Sequence, residues 1–216
     1  MGQRLIETLR ANLGISIAVV VIVVLSLVVS AVSGLPSLFM IGLLVALGLT
    51  TWGVYRWRSR DLDPRPDRVP LGSLASSGLV ALVVVFLVAQ AVPYGRNHSN
   101  PPTNGEPAWD TAQTRELVVR ACFDCHSNEV DWPWYSNIAP ASWAVEKHVQ
   151  DGRGKVNYQE WNRPQKEGNE SFDEVKKGSM PPPYYTFGGL HADAKLTSAE
   201  LTALLDGLLA TPGLSE

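Results

Sequence analysis

Charged residues are missing from two long stretches of the chain. None occurs in residues 11–55, and none occurs in residues 69–95. A helix that crosses a bilayer needs about 20 apolar residues, so the first stretch is long enough for two crossings. Gly and Pro in the segment 33–37 interrupt its middle, as residues that break helices do. The sequence therefore predicts three membrane spans, at about 13–32, 38–55 and 74–92.

A signal-peptide cleavage site is also missing. The first apolar segment is longer than the apolar core of a signal peptide, and no Ala-x-Ala-like site ends it. More apolar sequence follows directly. These features favour a retained membrane anchor over a leader that is removed.

Basic residues are distributed unevenly around the predicted spans. Arg4 and Arg10 precede the first span, and only Arg96 closely follows the third. Five arginines lie between the second and third spans: Arg56, Arg58, Arg60, Arg65 and Arg68. Lys and Arg are retained on the cytoplasmic side of a membrane. We expect residues 1–94 to form a multi-pass anchor in a bacterial inner membrane, with the N-terminus cytoplasmic and everything after Val92 outside.

Ionisable side chains are absent from the predicted spans. All four histidines of the chain lie beyond them. Acids, bases and histidines inside a membrane usually mark ion paths, proton relays or cofactor ligands. Their absence argues against a pump, and against a haem held between the spans by two histidines. The spans are therefore expected to serve as an anchor or as a docking surface.

The polar half of the chain lacks a basic patch. From Asn97 to the end there are 10 basic and 17 acidic residues, a net charge of −7 with His neutral. A protein that binds nucleic acid needs a concentration of positive charge, so we expect no nucleic-acid partner.

Strand-like alternation is absent from the polar half, and helical signals take its place. Residues 95–107 are rich in Pro, Gly and Asn, which predicts an extended linker. The domain proper then covers about 108–212. The predicted helices are 111–120 with Asp110 as cap, 141–150 after Pro140, and a last helix whose start from Thr197 to Glu200 is a capping box. The fold class is therefore predicted to be all-α.

The only two cysteines of the chain belong to the run Cys122-Phe123-Asp124-Cys125-His126. This Cys-x-x-Cys-His pattern is typical of c-type haem attachment. Two thiols on one short turn can reach the two vinyl groups of one haem, and the next residue can provide the proximal imidazole. We therefore predict one covalently attached haem c, held by Cys122, Cys125 and His126.

The cysteine run has two other interpretations. A redox-active disulfide would suit a Cys-x-x-Cys pair, but it leaves His126 without a role and lacks a βαβ context. A structural zinc ion would need four ligands, with His148 as the fourth. Three zinc ligands within five residues would strain a tetrahedral geometry.

A second axial ligand for the haem iron is expected from the outer domain. The chain has three methionines: Met1 is the first residue, Met40 lies in a predicted span, and Met180 lies in the outer domain. It belongs to a Gly- and Pro-rich segment shortly before the last helix, which suits an axial thioether. Met180 could instead be a flexible core side chain. His148 and His191 are the alternative ligands.

Aromatic residues are concentrated after the cysteine run. They are Trp132, Trp134, Tyr135 and Trp143. Side chains of this kind are usually core residues. In a domain whose core contains a haem, the same residues are expected to lie near the macrocycle.

These motifs together resemble the bacterial haem-binding-domain family of small c-type cytochromes with one haem. The resemblance covers about residues 100–208 and rests on 122–128, 132–136, 138–140, 142–143, 148–149, 152–153, Asn157, 160–161 and 180–182. It implies a cytochrome-c-like helical domain behind the anchor. Three spans depart from the single N-terminal span usual in the family, and the stretch from Phe187 to Leu190 also differs from the usual form.

The expected function is electron transfer on the outer face of the membrane. A haem with both axial positions filled has no open site for a substrate, so the chain is expected to be an electron carrier rather than an enzyme. Its expected partners are the membrane and redox proteins such as a respiratory complex. A haem-based gas sensor or a small haem peroxidase, with an open or openable sixth position, is the alternative.

Overall fold

A computed structural model describes residues 37–59 and 71–215 of the chain. In that part every regular element is helical, which confirms the all-α class there. Six α-helices are present in the described ranges, and short 3-10 turns lie between the later ones. The helices are α1 (Ser37–Arg58), α2 (Leu71–Gln90), α3 (Ala112–His126), α4 (Ala141–Lys155), α5 (Ser171–Lys176) and α6 (Ser198–Ala210).

The chain divides into two compact units between Val92 and Pro93. In the first unit α1 packs against α2. The contact face of α2 is made of small residues: Ser77 and Ala81 are fully buried, and Gly78 lies opposite Thr51. Small residues let two apolar helices approach closely, as in membrane bundles. Large apolar side chains of α2, including Leu79, Leu82, Leu87 and Val88, are exposed.

The number of membrane spans is only partly tested by the structure. Among the described residues, one helix is long and apolar enough to cross a membrane, Gly72–Gln90. It corresponds to the predicted third span. The predicted second span, 38–55, falls on α1. Among the described residues, α1 is not a second helix of that kind. The predicted first span, 13–32, lies outside the described residues, so a count of three is not confirmed.

The second unit is built around the contact between α3 and α6. Leu117, Val118 and Phe123 of α3 are buried against Leu204 and Leu208 of α6. The two helices approach so closely that a Cβ at Gly207 would lie 2.1 Å from Thr114 Oγ1. Since Phe123 lies inside the Cys-x-x-Cys run, the same core also fixes the haem motif.

The helix ends follow their capping chemistry. Thr111 caps α3, because its side chain accepts a hydrogen bond from Thr114 N at 3.1 Å. The predicted cap, Asp110, is wrong: its backbone N–H instead donates to Thr211 Oγ1 at 3.2 Å, beyond α6. The predicted capping box of α6 is confirmed, with Thr197 and Glu200 bonded reciprocally.

The predicted linker 95–107 has no helix, but it is bonded along the second unit. Asn100 pairs with the backbone of Val130 through both its amide nitrogen and its oxygen. Asn104 N donates to Gln159 O at 2.8 Å, and Glu106 accepts two hydrogen bonds from Arg115, each 2.7 Å long. The segment therefore belongs to the second unit, which begins at Pro93.

Candidate haem site

The cysteine run forms the last turn of α3. Cys122 and Cys125 are three residues apart on this helix, so their side chains share one face. Both side chains line a cavity of about 360 Å³ within the second unit. This volume lies at the low end of the usual range of small-molecule sites, about 300–1,000 Å³.

His126 ends α3 and lies on the same cavity wall. Its Nδ1 is 3.0 Å from the carbonyl oxygen of Val156, which makes Nδ1 the protonated nitrogen. Burial lowers the pKa of His126 and outweighs the opposing effect of this hydrogen bond. The imidazole is therefore neutral, with Nε2 left as the basic nitrogen. A histidine that ligates a metal is commonly oriented by a backbone carbonyl in this way.

Helix α4 crosses α3 directly behind the haem motif. A Cβ on Gly152 would lie 2.3 Å from the carbonyl oxygen of Cys125. That distance is far inside van der Waals contact, so only Gly fits at this crossing. The next residue, Arg153, donates from Nε to the carbonyl oxygen of Ser127 at 2.7 Å. The backbone around Cys125 and His126 is thus held from one side by α4.

The two thiols are neutral in this environment. Burial, with a smaller contribution from Cys125, raises the pKa of Cys122 to about 12. Burial and the neighbouring Asp124 carboxylate raise the pKa of Cys125 to about 12, although Arg153 opposes the shift. Reactive cysteines in redox-active disulfides have lowered pKa values. The site therefore does not resemble that of a thiol oxidoreductase.

Met180 lines the same cavity and packs against the hydrophobic core. Its backbone N–H donates to the carbonyl oxygen of Glu174 at 3.2 Å, and the hydroxyl of Ser179 donates to the same oxygen at 2.9 Å. The C-terminal end of α5 thus fixes the start of the segment that carries the thioether. The structure places Met180 in the lining of the same cavity as Cys122, Cys125 and His126.

The two alternative histidine ligands lie in different places. His148 of α4 lines the cavity, with its ring centroid 5.6 Å from that of Tyr184. His191 is not among the described residues that line the cavity. Its Nε2 lies 2.6 Å from Tyr135 Oη, and its ring stacks on Tyr185 at 4.0 Å. His148 is therefore the better placed alternative to Met180.

The four predicted aromatic residues are not among the described residues that line the cavity. Trp132 stacks on His98 at 4.7 Å, and Trp134 is 72% exposed. Tyr135 contacts His191, and Trp143 is half-buried in the first turn of α4. The structure therefore places this cluster beside the site rather than against the space that a cofactor would fill.

Three other tyrosines, which the sequence did not single out, line the cavity instead: Tyr158, Tyr184 and Tyr185. The buried ring of Tyr158 lies 6.1 Å from that of His126 and 6.4 Å from that of Phe123. Its backbone N–H donates to the carbonyl oxygen of His126 at 2.8 Å. Tyr184 and Tyr185 directly follow the Met180-Pro-Pro-Pro segment, and that position could have identified them.

The comparison with family models shows which family the chain belongs to. The model described as a haem-binding domain matches residues 84–210, more than half of the 216 residues. The chain belongs to the haem-binding-domain family. The match confirms the resemblance seen in the sequence and supports haem as the cofactor of the domain. Comparison with curated proteins and with solved structures gave no significant match.

The residues of this haem-binding domain fit the group. Two thiols on one helix face, a neutral imidazole with its Nδ1 occupied, and a thioether all line the same cavity. Imidazole, thiolate and thioether are the side-chain groups that haem proteins use. Val156, Tyr158 and Val175 supply apolar surface between them.

Proposed function

We propose that this protein is a membrane-anchored c-type cytochrome with one haem, which transfers single electrons on the outer face of a membrane. The observation that carries the proposal is the position of Cys122, Cys125, His126 and Met180 on the wall of one cavity. Cys122 and Cys125 would hold the haem covalently through their sulfurs. His126 would be the proximal ligand, and Met180 the ligand on the other side.

When bound, the haem supplies an iron centre that accepts and releases one electron. The chain orients its ligands and excludes water. The Val156 carbonyl keeps His126 in the tautomer that leaves Nε2 basic. The core around Phe123, Tyr158 and Val175 keeps the site apolar. An apolar shell disfavours added positive charge, so it favours the reduced state.

The membrane part of the proposal is supported by α2. This helix is long and apolar enough to cross a bilayer, and it exposes large apolar side chains. The family match begins at residue 84, inside α2, so the haem domain follows that helix without an intervening domain. With the arginine distribution, this supports an outward-facing haem domain and a multi-pass anchor in the bacterial inner membrane. The acidic outer domain suits redox partners with a basic surface.

Replacement of Met180 tests the ligand assignment. Met180→Leu keeps the volume of the side chain and removes only the thioether. We expect the ferric protein to lose its near-infrared sulfur–iron band and to become partly high-spin, and the reduced protein to bind carbon monoxide. His148→Ala is the matched control and should keep the band. If Met180→Leu leaves the spectrum unchanged and His148→Ala alters it, His148 is the ligand.

His148 also supports a second candidate function. Its place on the cavity wall would suit a distal acid–base residue in a gas sensor or a small peroxidase. Those functions need an open sixth position. Rapid binding of carbon monoxide by the unmodified reduced protein would favour them over pure electron transfer. Slow or absent binding supports the electron carrier.

A further inference from the structure

A network of four polar and aromatic side chains joins the haem motif to the segment that follows Met180. Asp124, between the two cysteines, accepts a hydrogen bond from Tyr185 Oη through Oδ2. His191 stacks on Tyr185 at 4.0 Å with an angle of 16° between the rings. Its Nδ1 lies 3.8 Å from Asp124 Oδ2, and its Nε2 shares a hydrogen bond of 2.6 Å with Tyr135 Oη.

Asp124 is the centre of this network because it bonds to two separate segments. Its Oδ1 accepts a hydrogen bond from the backbone N–H of Asp131 at 3.1 Å, while its Oδ2 accepts from Tyr185. Burial, and then the hydrogen bond to Asp124, raise the pKa of Tyr185, so its hydroxyl keeps its proton and remains a donor. Asp124 and Tyr185 both line the cavity.

The segment that carries Met180 is thereby fixed at two points. Before Met180, the carbonyl oxygen of Glu174 accepts hydrogen bonds from the backbone N–H groups of Ser179 and Met180. After Met180, the attachment is the hydrogen bond of Tyr185 to Asp124. Three glycines with positive φ, Gly178, Gly188 and Gly189, flank this segment and give it freedom at its ends, whereas Pro181, Pro182 and Pro183 restrict the backbone between them. Side-chain contacts must therefore set its position.

We propose that Asp124 and Tyr185 are positioning residues that hold the Met180 thioether at the haem. The inference rests on the proposed function, because it requires Met180 to be an axial ligand. Hydrogen bonds to a carboxylate are among the stronger ones in proteins. Loss of this bond shifts the segment toward positions in which the thioether is away from the iron, and an added ligand then competes more easily.

The test measures the affinity of the ferric holoprotein for added imidazole. Tyr185→Phe removes the hydroxyl and keeps the ring that stacks on His191. We expect the Tyr185→Phe variant to bind imidazole at least roughly tenfold more tightly than the unmodified protein does. A hydrogen bond to a charged group changes an equilibrium constant by about that factor. The near-infrared sulfur–iron band should weaken in parallel. Asp124→Asn keeps one acceptor oxygen and should give an intermediate affinity.

Two controls separate positioning from a general loss of stability. Arg115→Gln removes a charged hydrogen-bond pair with Glu106 at the other end of α3 and should leave the imidazole affinity within about twofold. The double variant Asp124→Ala with Tyr185→Phe should bind imidazole no more tightly than the stronger single variant, because the hydrogen bond between Tyr185 and Asp124 is already absent from each single variant. Asp124→Ala should be the stronger one, since it also loses the hydrogen bond from Asp131 N–H. If Asp124→Ala protein does not load haem, Tyr185→Phe decides the question.

The Met180→Leu and Tyr185→Phe variants together distinguish a failure of the positioning role from a failure of the proposed ligand. If Met180→Leu does not change the spectrum, Met180 is not a ligand, and the ligand assignment fails with this inference. If Met180→Leu opens the sixth position but Tyr185→Phe leaves the imidazole affinity within twofold, only the positioning role is overturned. Multiplicative effects in the double variant would also overturn it, since the two residues would then act separately.

Discussion

In the proposed cytochrome, Cys122 and Cys125 must meet two requirements. The thioether bonds to haem form from free thiols, and the finished site needs an apolar wall. Burial of the folded thiols raises both pKa values to about 12. A raised pKa keeps a thiol protonated, so both thiols are mainly neutral at every pH below about 12. The thiols of a folded haem-free chain should therefore be poor nucleophiles.

Alkylation of the haem-free protein by iodoacetamide tests this at the residue scale. At pH 8 a pKa near 12 instead of 9.0 leaves about a thousandfold less thiolate. We expect alkylation to be about that much slower in buffer than in urea, and to accelerate about tenfold for each pH unit up to about pH 11. Equal rates in buffer and in urea would show that the folded chain does not bury its thiols.

The sequence predicted the chemically distinctive residues of the site and missed those that depend on tertiary contacts. Cys122, Cys125 and His126 are adjacent in the chain, so a local pattern suffices to identify them. Tyr158 and Tyr185 are ordinary aromatic residues in the sequence. Their proximity to His126 and Asp124 exists only after α3, α4 and the segment after Met180 have packed. Conversely, Trp132 and Trp134 stand out in the sequence but are not part of the described cavity lining.

Among the helices, a sequence motif predicts a helix end correctly when both interacting residues lie in one short segment. The capping box from Thr197 to Glu200 was predicted correctly for that reason. The predicted helices 111–120 and 141–150 are too short, because α3 continues to His126 and α4 to Lys155. Contact between these two helices at Gly152 stabilises turns that have no strong helix signal of their own.

The crossing of α3 and α4 gives a prediction at the element scale. Gly152→Ala would place a methyl group 2.3 Å from the Cys125 carbonyl oxygen, so one helix must move. We expect the free energy of unfolding of the holoprotein, measured in denaturant, to decrease by about 1–3 kcal/mol, as for other overpacked contacts. Haem content after expression should fall as well.

Gly154 offers a matched control on the same helix. No atom lies within 4 Å of a Cβ built there. Gly154→Ala should therefore stabilise the protein by about 0.5–1 kcal/mol through the better helix propensity of Ala. If Gly152→Ala and Gly154→Ala changed the free energy of unfolding equally, close packing against Cys125 would not be the reason for a glycine at position 152.

For the whole molecule, composition already separates an apolar half from an acidic half, and the structure divides at Pro93. What composition cannot give is the number of crossings, because an apolar segment can cross a membrane or pack against another helix. The proposed haem c gives a separate constraint. Haem of that type is attached outside the cytoplasm, so the proposed cytochrome with its N-terminus inside requires an odd number of spans.

Reporter fusions test this topology at the scale of the whole molecule. A reporter fused after Arg60 should behave as cytoplasmic, because the arginines around it are retained on that side. A reporter fused after Glu216 should behave as external. A fusion after Tyr94, just beyond α2, is the control for the end of the anchor and should also be external. The reverse location of either of the first two fusions would contradict the proposed orientation.

The central claim is that Cys122 and Cys125 bind the haem covalently. The most direct measurement is the mass of the purified protein after denaturation, together with haem staining of a denaturing gel. We predict a mass equal to that of the chain plus one haem, a stained band at that position, and loss of most holoprotein in Cys125→Ala. Extraction of the haem by acidified acetone, leaving a chain of unmodified mass, would contradict the claim.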